Sequence, residues 1–353
     1  RRHLQVSYEH RVDKEGESSW VATLPELRKA IIEHTERVLG REVAVAVTPG
    51  YPRKYLRKQE GEPHKLDEYR SIVGKLLYYA RKVSPELLNV VRELAQFLAS
   101  PGENHWKTLV RCVGYVKLNR FKGELVIKAP KEMRVISGAD ANHATDEDDR
   151  KSVMGEVHTL GGAYITASSK KIPAVTLSST ESEYYSNSNA ASEMKFQTML
   201  LDEIFLHDDE ERKQGWLYND NMGAIYLSRN QHVSSRTKHI DTRMHFTREL
   251  QEAGVIKVIY ERSENLLPDI LNKNLPEVDQ LHHSRNLVGG SILRWREDVG
   301  EDGLRRLAFV HRPKDPKDRV DDLSDIVKDQ VKGPDTKEWK VVHGRKGRMQ
   351  KKG

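Results

Sequence analysis

The stretch that decides the fold lies at residues 133–169 and reads MRVISGADANHATDEDDRKSVMGEVHTLGGAYITASS. Its segments MRVISGAD and GEVHTLGGAYITASS, and PAVTLSS just after them, are short runs rich in β-branched residues. Gly or Pro interrupts each run, which is typical of strands joined by hairpins. From Thr180 the apolar period becomes that of a long helix. The sequence therefore predicts three hairpin-linked strands followed by a helix.

Downstream of this stretch, strand patterns and helix patterns alternate. We interpret the segments, in order, as a buried strand GWLYND, a short helix NMGAIYLS, a basic helix SSRTKHIDTRMHFTRELQEAG, a strand VIKVIYER and a final helix LLPDILNKNL. The complete order is β-β-β-α-β-α-α-β-α. Hairpin strands followed by strands that alternate with helices predict an α/β fold, in which a mixed sheet carries helices on its faces.

Upstream, the segment from Asp67 to about Arg120 has the pattern of three helices, because apolar residues recur at spacings of three and four. Ser84-Pro85 and Pro101-Gly102 separate the helices. A further helix is predicted from Thr23 to Leu39, and residues 50–63 form a loop rich in Pro, Gly and Lys. The first 20 residues carry no clear pattern.

The composition excludes several classes of protein. Apolar residues make up 37% and charged residues 32% of the 353 positions, against the usual ~45–50% and ~25%. No apolar run is long enough for a bilayer span or a signal peptide, so we expect no membrane partner. The single cysteine, Cys112, cannot form an intrachain disulfide or a cysteine-based zinc cluster.

The C-terminal part carries most of the excess positive charge. The net charge is +6, and residues 311–353 contain 13 basic and 8 acidic residues. Charges of both signs alternate there with Pro and Gly, and few apolar residues offset the entropy of ordering the chain. We therefore expect a charged tail that is largely disordered over residues 289–353, with a basic end that either binds phosphates or is simply solvated.

Four acidic residues fall at the ends of predicted strands and helices. Asp140 closes the first strand, Glu183 lies in the first turn of the long helix, Asp220 closes the fourth strand and Asp269 opens the last helix. In such sheets, functional groups gather at strand ends. If four carboxylates converged there, cations would have to offset their repulsion, and Mg²⁺ or Mn²⁺ prefers such oxygen ligands.

Each acid also has an ordinary structural explanation. Asp140 fits a turn, Asp220 a helix cap, and Asp269 a favourable charge at a helix N-terminus. The role of Glu183 depends on where the helix starts. A cap at Thr180 would engage Glu183 in a capping box, whereas a cap at Ser178 would engage Glu181 instead. The residues alone leave both interpretations open.

Six motifs, in order and spacing, resemble the ribonuclease H domain of Ty1/copia-type retrotransposon polyproteins. They are GADANHATDEDDRKS, LGGAYITASSKK, SSTESEY, LYNDNMGAI, RTKHIDTRMHF and PDILNKNL, and they extend from about Val135 to Leu275. A weaker similarity covers EYRSIVGKLLYYA and the helices after it, which resemble the thumb or connection that follows a reverse-transcriptase palm. The resemblance implies a ribonuclease H-like five-stranded mixed sheet with flanking helices, preceded by a small helical unit.

The resemblance also implies domains and site residues. It divides the chain into a poorly defined reverse-transcriptase remnant (1–66), a thumb- or connection-like unit (67–130), a ribonuclease H-like domain (131–288) and the tail. The four acids of the family motifs match Asp140, Glu183, Asp220 and Asp269. The sequence departs from the family pattern at Asn142 and His143 in the first motif, and at Pro268 and Asn272 in the last.

The implied activity is hydrolysis of the RNA strand of an RNA/DNA hybrid, with two Mg²⁺ or Mn²⁺ ions held by the four acids. A basic helix would bind the nucleic-acid backbone through Arg236, Lys238, His239, Arg243 and Arg248. Two alternatives remain: a catalytically inactive nucleic-acid-binding remnant, and an integrase-like relative that shares only the fold.

Polymerase activity is not expected from this chain, because none of its Asp pairs follows an aromatic residue in the manner of a polymerase hairpin. The resemblance implies that the palm precedes Arg1 in the polyprotein and is a partner of this segment. The sequence contains no legible localisation signal; the family implies a cytoplasmic particle or the nucleus.

Overall fold

The computed structural model describes residues 2–204, 213–229, 241–299 and 305–310, and it gives the backbone alone at 2, 241–244, 295, 297–299 and 305. Within these residues the chain forms three sheets and eight α-helices. None of the described helices is long and apolar enough to cross a membrane.

A four-stranded antiparallel sheet and four helices make up the first part of the chain. The strands are β1 (Arg2–His3), β2 (Val6–Val12), β3 (Ser18–Thr23) and β4 (Glu124–Lys128), in that spatial order. The helices are α1 (Pro25–Leu39), α2 (Leu66–Val83), α3 (Leu88–Ala95) and α4 (Glu103–Leu118). The three helices predicted after Asp67 are thus present. Strand β4 pairs with β3, so strands from before and after the predicted boundary at residue 66 belong to one sheet.

The second part is built on a five-stranded mixed sheet. Its strands are β5 (Val135–Asn142), β6 (Val153–Leu160), β7 (Ala163–Lys171), β8 (Gly215–Asn219) and β9 (Ile256–Tyr260). Their order is β7-β6-β5-β8-β9; the two hairpin pairings are antiparallel, and β5 pairs in parallel with β8, as does β8 with β9. The helices are α5 (Ser179–Ile204), α6 (Met222–Arg229), α7 (Asp241–Glu252) and α8 (Glu277–Val288). The predicted ribonuclease H-like mixed sheet with flanking helices is confirmed.

The sheet separates two apolar cores, because successive side chains of a strand point to opposite faces. Val135 and Ala139 of β5 pack with Met194 of α5 in one core. Ile136 and Val157 belong to the other core, which is continuous with the buried residues of α2, α3 and α4. Residues from both parts of the chain therefore share one apolar core.

Two local details differ from the sequence-based expectation. The third strand, β7, lies within GEVHTLGGAYITASS, where Gly161 and Gly162 at positive φ form the turn between β6 and β7. PAVTLSS is not a strand; these residues form the bends and loop that lead into the next helix. The predicted last helix is a 3₁₀ turn over Leu267–Leu271.

The predicted tail begins later than Gly289. Strands β10 (Leu293–Val299) and β11 (Arg305–Phe309) form an antiparallel pair, so the prediction of disorder is wrong for these residues. Leu293, Leu307, Ala308 and Phe309 of the two strands are buried, and the Tyr218 hydroxyl donates a 2.6 Å hydrogen bond to the Leu307 carbonyl. Composition did not reveal the strands, because their few apolar residues stand among charged ones. Residues 311–353 lie outside the described part of the chain.

Glu86, in the core beside α2 and α4, gives the stability a pH dependence. It accepts a 2.6 Å hydrogen bond from Ser84 Oγ, and burial raises its pKa to about 7. A carboxyl group whose pKa is higher in the folded state than in the unfolded state stabilises the fold when it is protonated. This contribution is complete below the unfolded pKa near 4.5 and is lost as the pH rises through the folded pKa of about 7.

Replacing this carboxyl group should therefore stabilise the chain at alkaline pH. We expect Glu86→Gln to raise the free energy of unfolding at pH 8 by roughly 2 kcal/mol and to change it little at pH 5. Urea unfolding at both pH values measures the change in the free energy of unfolding. Glu26→Gln, at an exposed position of α1, is the matched control. An equal gain at pH 5 and pH 8 would show that the carboxyl group does not titrate in this range.

Candidate active site

Asp140 is the central acid of the site and lies near the end of β5, the middle strand of the mixed sheet. Its side chain is only 1% exposed. Asp140 Oδ2 accepts a 2.6 Å hydrogen bond from Asn272 Nδ2 and lies 3.0 Å from Lys273 Nζ. A carboxylate this buried is stable only with such partners.

Glu183 reaches the site because of where α5 begins. Ser178 Oγ accepts a hydrogen bond from the Glu181 N–H at 3.1 Å, and Glu181 Oε2 accepts one from the Leu177 N–H at 2.7 Å. Ser178 is therefore the N-cap, and of the two capping alternatives the structure has the one that leaves Glu183 outside the cap. Glu183 Oε1 accepts from the Ala141 N–H at 3.1 Å, and its Oε2 accepts from Asn219 Nδ2 at 2.9 Å.

Asp220 completes a group of three carboxylates. It follows the last residue of β8 and is partly exposed. One oxygen each of Asp140, Glu183 and Asp220 lies within 4.8 Å of the others. The parallel pairing of β5 with β8 brings the first and third acids to one edge, and the start of α5 supplies the second.

Asp269 lies beside this group but is held differently. It belongs to the 3₁₀ turn Leu267–Leu271, shares a hydrogen bond with Asp140, and accepts from Lys273 Nζ at 2.5 Å. Pro268 precedes it in the first turn, where its fixed φ suits a helical start. The substitution at Pro268 is therefore compatible with this placement of Asp269.

Burial and, after it, electrostatic repulsion shift the pKa values of the acids in the site. Burial, then the charges of Asp140 and Asp220, raise the pKa of Glu183 well above its usual value. Burial, then Asp140, likewise raise the pKa of Asp220 and of Asp269. Burial alone would raise the pKa of Asp140 as well, but the Lys273 charge and the hydrogen bonds from its neighbours outweigh burial and lower it.

The donor set fits hard divalent cations. The oxygens of Asp140, Glu183 and Asp220 are close enough to share one ion, and oxygen ligands are those that Mg²⁺ and Mn²⁺ prefer. After burial, the charges of neighbouring acids also raise the pKa values of Glu183 and Asp220, and a bound cation would offset that repulsion. The four predicted acids thus lie together, three within one ligand-sized group and Asp269 attached to Asp140.

Lys273 and Asn219 are part of the site, although the acidic pattern did not identify them. Lys273 Nζ bridges Asp140 and Asp269, which raises the pKa of the lysine despite its burial. Asn219 orients Glu183 and also donates to the Ala139 carbonyl at 3.0 Å. The spacing of four residues between Asp269 and Lys273 was the feature of the sequence that could have identified the lysine, because side chains at this spacing in a helix are neighbours.

The two departures in the first motif have local roles. Asn142 Nδ2 donates to the hydroxyl of Tyr55 at 2.9 Å and to the Asn272 carbonyl at 3.4 Å. The ring of His143 lies within hydrogen-bonding distance of the hydroxyls of Thr176, Ser152 and Ser182. Both side chains therefore support the loops around the acids.

The predicted nucleic-acid grip is only partly within the described residues. Arg236, Lys238 and His239 lie outside them, and Arg243 lies on α7 without a described side chain. Arg248 is 5% exposed, and its charge opposes the rise that burial produces in the pKa of the Tyr184 phenol on α5. Helix α7 packs against α5, and a contact between Arg248 and a nucleic-acid backbone stays a prediction.

Known proteins with similar sequences include retrotransposon polyproteins. No family model matches the chain. Curated relatives include the Retrovirus-related Pol polyprotein from transposon RE2 of Arabidopsis thaliana, 35% identical over 220 residues, which are 62% of this chain and 15% of that protein. The corresponding polyprotein from transposon TNT 1-94 of Nicotiana tabacum is 32% identical over 63% of this chain and 16% of its own length. Secreted RxLR effector protein 161 of Plasmopara viticola is 33% identical over 37% of this chain and 92% of its own length.

Solved structures with detectable similarity are ribonucleases H. RNase H1 from Halobacterium salinarum has a TM-score of 0.28 at 11% identity, over 39% of this chain and 93% of that one. LC11-RNase H1, solved in complex with an RNA/DNA hybrid, has a TM-score of 0.29 at 12% identity, with the same two coverages. The fold class rests on the strand order described above.

The sequence similarity extends over 220 residues of this chain, and the chain spans only about 15% of the length of the polyproteins that it matches. The chain is therefore similar to one part of the Ty1/copia-type retrovirus-related Pol polyproteins.

Proposed function

We propose that this chain is a ribonuclease H-type endonuclease that hydrolyses the RNA strand of RNA/DNA hybrids. The observation that supports this most is the group of three buried or half-buried carboxylates, from β5, α5 and the end of β8, whose oxygens lie within 4.8 Å of one another. The sequence similarity to retrovirus-related Pol polyproteins supports the same class of reaction.

The chain's own residues prepare a site for phosphodiester hydrolysis. Asp140, Glu183, Asp220 and Asp269 would hold two divalent ions, Mg²⁺ or Mn²⁺. When bound, such ions activate water and stabilise the leaving oxygen at phosphorus. Asn219 and the Ala141 N–H fix both oxygens of Glu183. Lys273 holds Asp269 against Asp140 and offsets part of their charge.

Hybrid selectivity would come from groove shape and 2′-hydroxyl contacts, since base edges carry no signal that separates a hybrid from other duplexes. The polymerase palm of the same polyprotein would be the partner that produces the hybrid. This partner is inferred from the family alone.

The test is a cleavage assay on an RNA/DNA hybrid labelled on either strand, in Mg²⁺ and in Mn²⁺. We expect the RNA strand alone to be cut, and we expect Asp220→Asn to reduce the rate at least about 100-fold, because a lost ligand costs more than a lost ligand-orienting group. Cleavage by both proteins at one rate would reject the site.

The alternative function is a nucleic-acid-binding remnant without catalysis. The position of Lys273 favours it, because an ammonium group already lies between Asp140 and Asp269. Hybrid binding by the unmodified chain without cleavage in either metal would support this alternative.

A further inference from the structure

A short basic segment lies next to the acids although it is distant from them in sequence. Residues 51–58 read YPRKYLRK, with four cationic residues and no acid, and we call this segment the basic loop. The side chains of Arg53, Lys54, Arg57 and Lys58 are all exposed. The helices α1 and α2 flank the segment, so it belongs to the first part of the chain.

A continuous chain of hydrogen bonds connects the basic loop to Asp140. The Tyr55 hydroxyl accepts from Asn142 Nδ2 at 2.9 Å, and the same amide lies 3.4 Å from the Asn272 carbonyl. Asn272 Nδ2 in turn donates to Asp140 Oδ2 at 2.6 Å. Two side chains therefore separate Tyr55 from the central acid of the site.

The loop backbone is fixed next to Lys273. The Arg53 N–H donates to the Asn274 carbonyl at 2.8 Å, and Asn274 Nδ2 donates to the Lys54 carbonyl at 2.6 Å. Arg53 has φ +58°, a conformation that a residue with a side chain adopts only when its surroundings impose it. The backbone contacts thus determine the position of the loop and leave its cationic side chains outside.

The far end of the loop is also anchored through its backbone. The Lys58 N–H donates to Asp148 Oδ2 at 2.6 Å, and Arg57 forms an ion pair with Glu147. Among the described residues, Arg53, Lys54 and Lys58 form no ion pair. The side chains of Arg53, Lys54 and Lys58 are thus available to a partner, and the charge of Arg57 is partly neutralised by Glu147.

We infer that the basic loop binds the phosphate backbone of the duplex whose RNA strand lies at the acids. This inference rests on the proposed function. A cluster of carboxylates repels phosphates, so a substrate held there needs cations close by. A duplex extends to both sides of the scissile bond, and a loop two side chains from Asp140 lies within its reach. Because the loop is already ordered, binding costs little further backbone entropy.

The test measures binding in place of cleavage. In the Asp220→Asn background and with a chelator, we compare hybrid affinity with and without Arg53→Asn, Lys54→Gln and Lys58→Gln together. Asn is chosen at position 53 because it tolerates positive φ. We expect affinity at low salt to fall at least about tenfold, and the slope of log affinity against log salt to decrease by about 2 to 3, one for each lost phosphate contact.

The matched control removes three exposed cations elsewhere, by Lys14→Gln, Lys29→Gln and Arg37→Gln on the β2–β3 turn and α1. It should change the salt slope by less than about 1. Equal losses in the two triple variants, or no hybrid binding by the parent, would overturn the inference. A chain that binds through the loop but never cuts RNA would refute the proposed function and leave the loop's role supported.

A second variant guards against misfolding of the loop. Glu147 is exposed and neutralises Arg57, so Glu147→Gln should release a fourth cation without removing a buried group. We expect hybrid affinity to rise about two- to fivefold and the salt slope to increase by up to about 1. Unchanged affinity and slope would contradict a phosphate contact at this end of the loop.

Discussion

Glu183→Gln is expected to abolish hybrid cleavage, with at least about a 100-fold loss, while the chain stays folded. The neutral amide is nearly the same size but removes one of three charges that lie within 4.8 Å of one another. It also cannot accept hydrogen bonds on both of its ends, as Glu183 does from Ala141 and Asn219. The rate is measured in single turnovers, and thermal unfolding with increasing Mg²⁺ reports whether metal-dependent stabilisation is lost as well.

Glu181→Gln is the matched control, because it makes the same change two residues earlier on α5. Glu181 caps the helix through the Leu177 N–H and is not one of the three grouped acids. The control should lose up to about 1 kcal/mol of stability and keep its cleavage rate. Equal loss of cleavage in the two variants would mean that the helix start matters and the position of the charge does not.

Asn274→Ala is expected to lower the free energy of unfolding by about 3 kcal/mol. Asn274 is 7% exposed and makes three side-chain hydrogen bonds: it accepts from Asn89 Nδ2 and donates to Glu93 Oε1, both on α3, and it donates to the Lys54 carbonyl. Each buried hydrogen bond contributes about 1 kcal/mol, and more where the partner is left without a substitute. Urea unfolding measures the loss.

The same variant should show a pH dependence with a defined sign. Burial raises the pKa of Glu93 to about 7, and the amide of Asn274 is one of the groups that opposes this rise. Without it the charged form becomes less favourable, so Asn274→Ala should be more destabilising at pH 8 than at pH 5.5. Asn89→Ala, which removes one of the three bonds, should cost less. A loss below 1 kcal/mol at both pH values would contradict this role for Asn274.

The periodic parts of the fold were predictable from the sequence, because strands and helices in a layered domain repeat apolar residues at fixed intervals. The β-branched runs interrupted by Gly or Pro and the six motifs in order were enough for the mixed sheet. The start of α5 could not be predicted in this way, because Ser178 and Thr180 are both residue types that cap helices. Only the hydrogen bonds of Ser178 and Glu181 distinguish the two.

Contacts between distant segments account for most of what the sequence left open. Tyr55 meets Asn142, and Asn89 meets Asn274, across 87 and 185 positions. No local period encodes such pairs. The buried face of α7 is a similar case: a basic helix looks solvated in sequence, whereas Arg248 is buried in the structure. The short strands β10 and β11 were missed because their few apolar residues stand among charged ones.

The most direct test is diffraction from crystals of the unmodified chain soaked in Mn²⁺, measured at the manganese absorption edge. Anomalous density is predicted at the oxygens of Asp140, Glu183 and Asp220, and it should disappear in crystals of Glu183→Gln. Manganese found only at other positions, with these three side chains unliganded at saturating metal, would contradict the assignment of this cluster as the catalytic metal site.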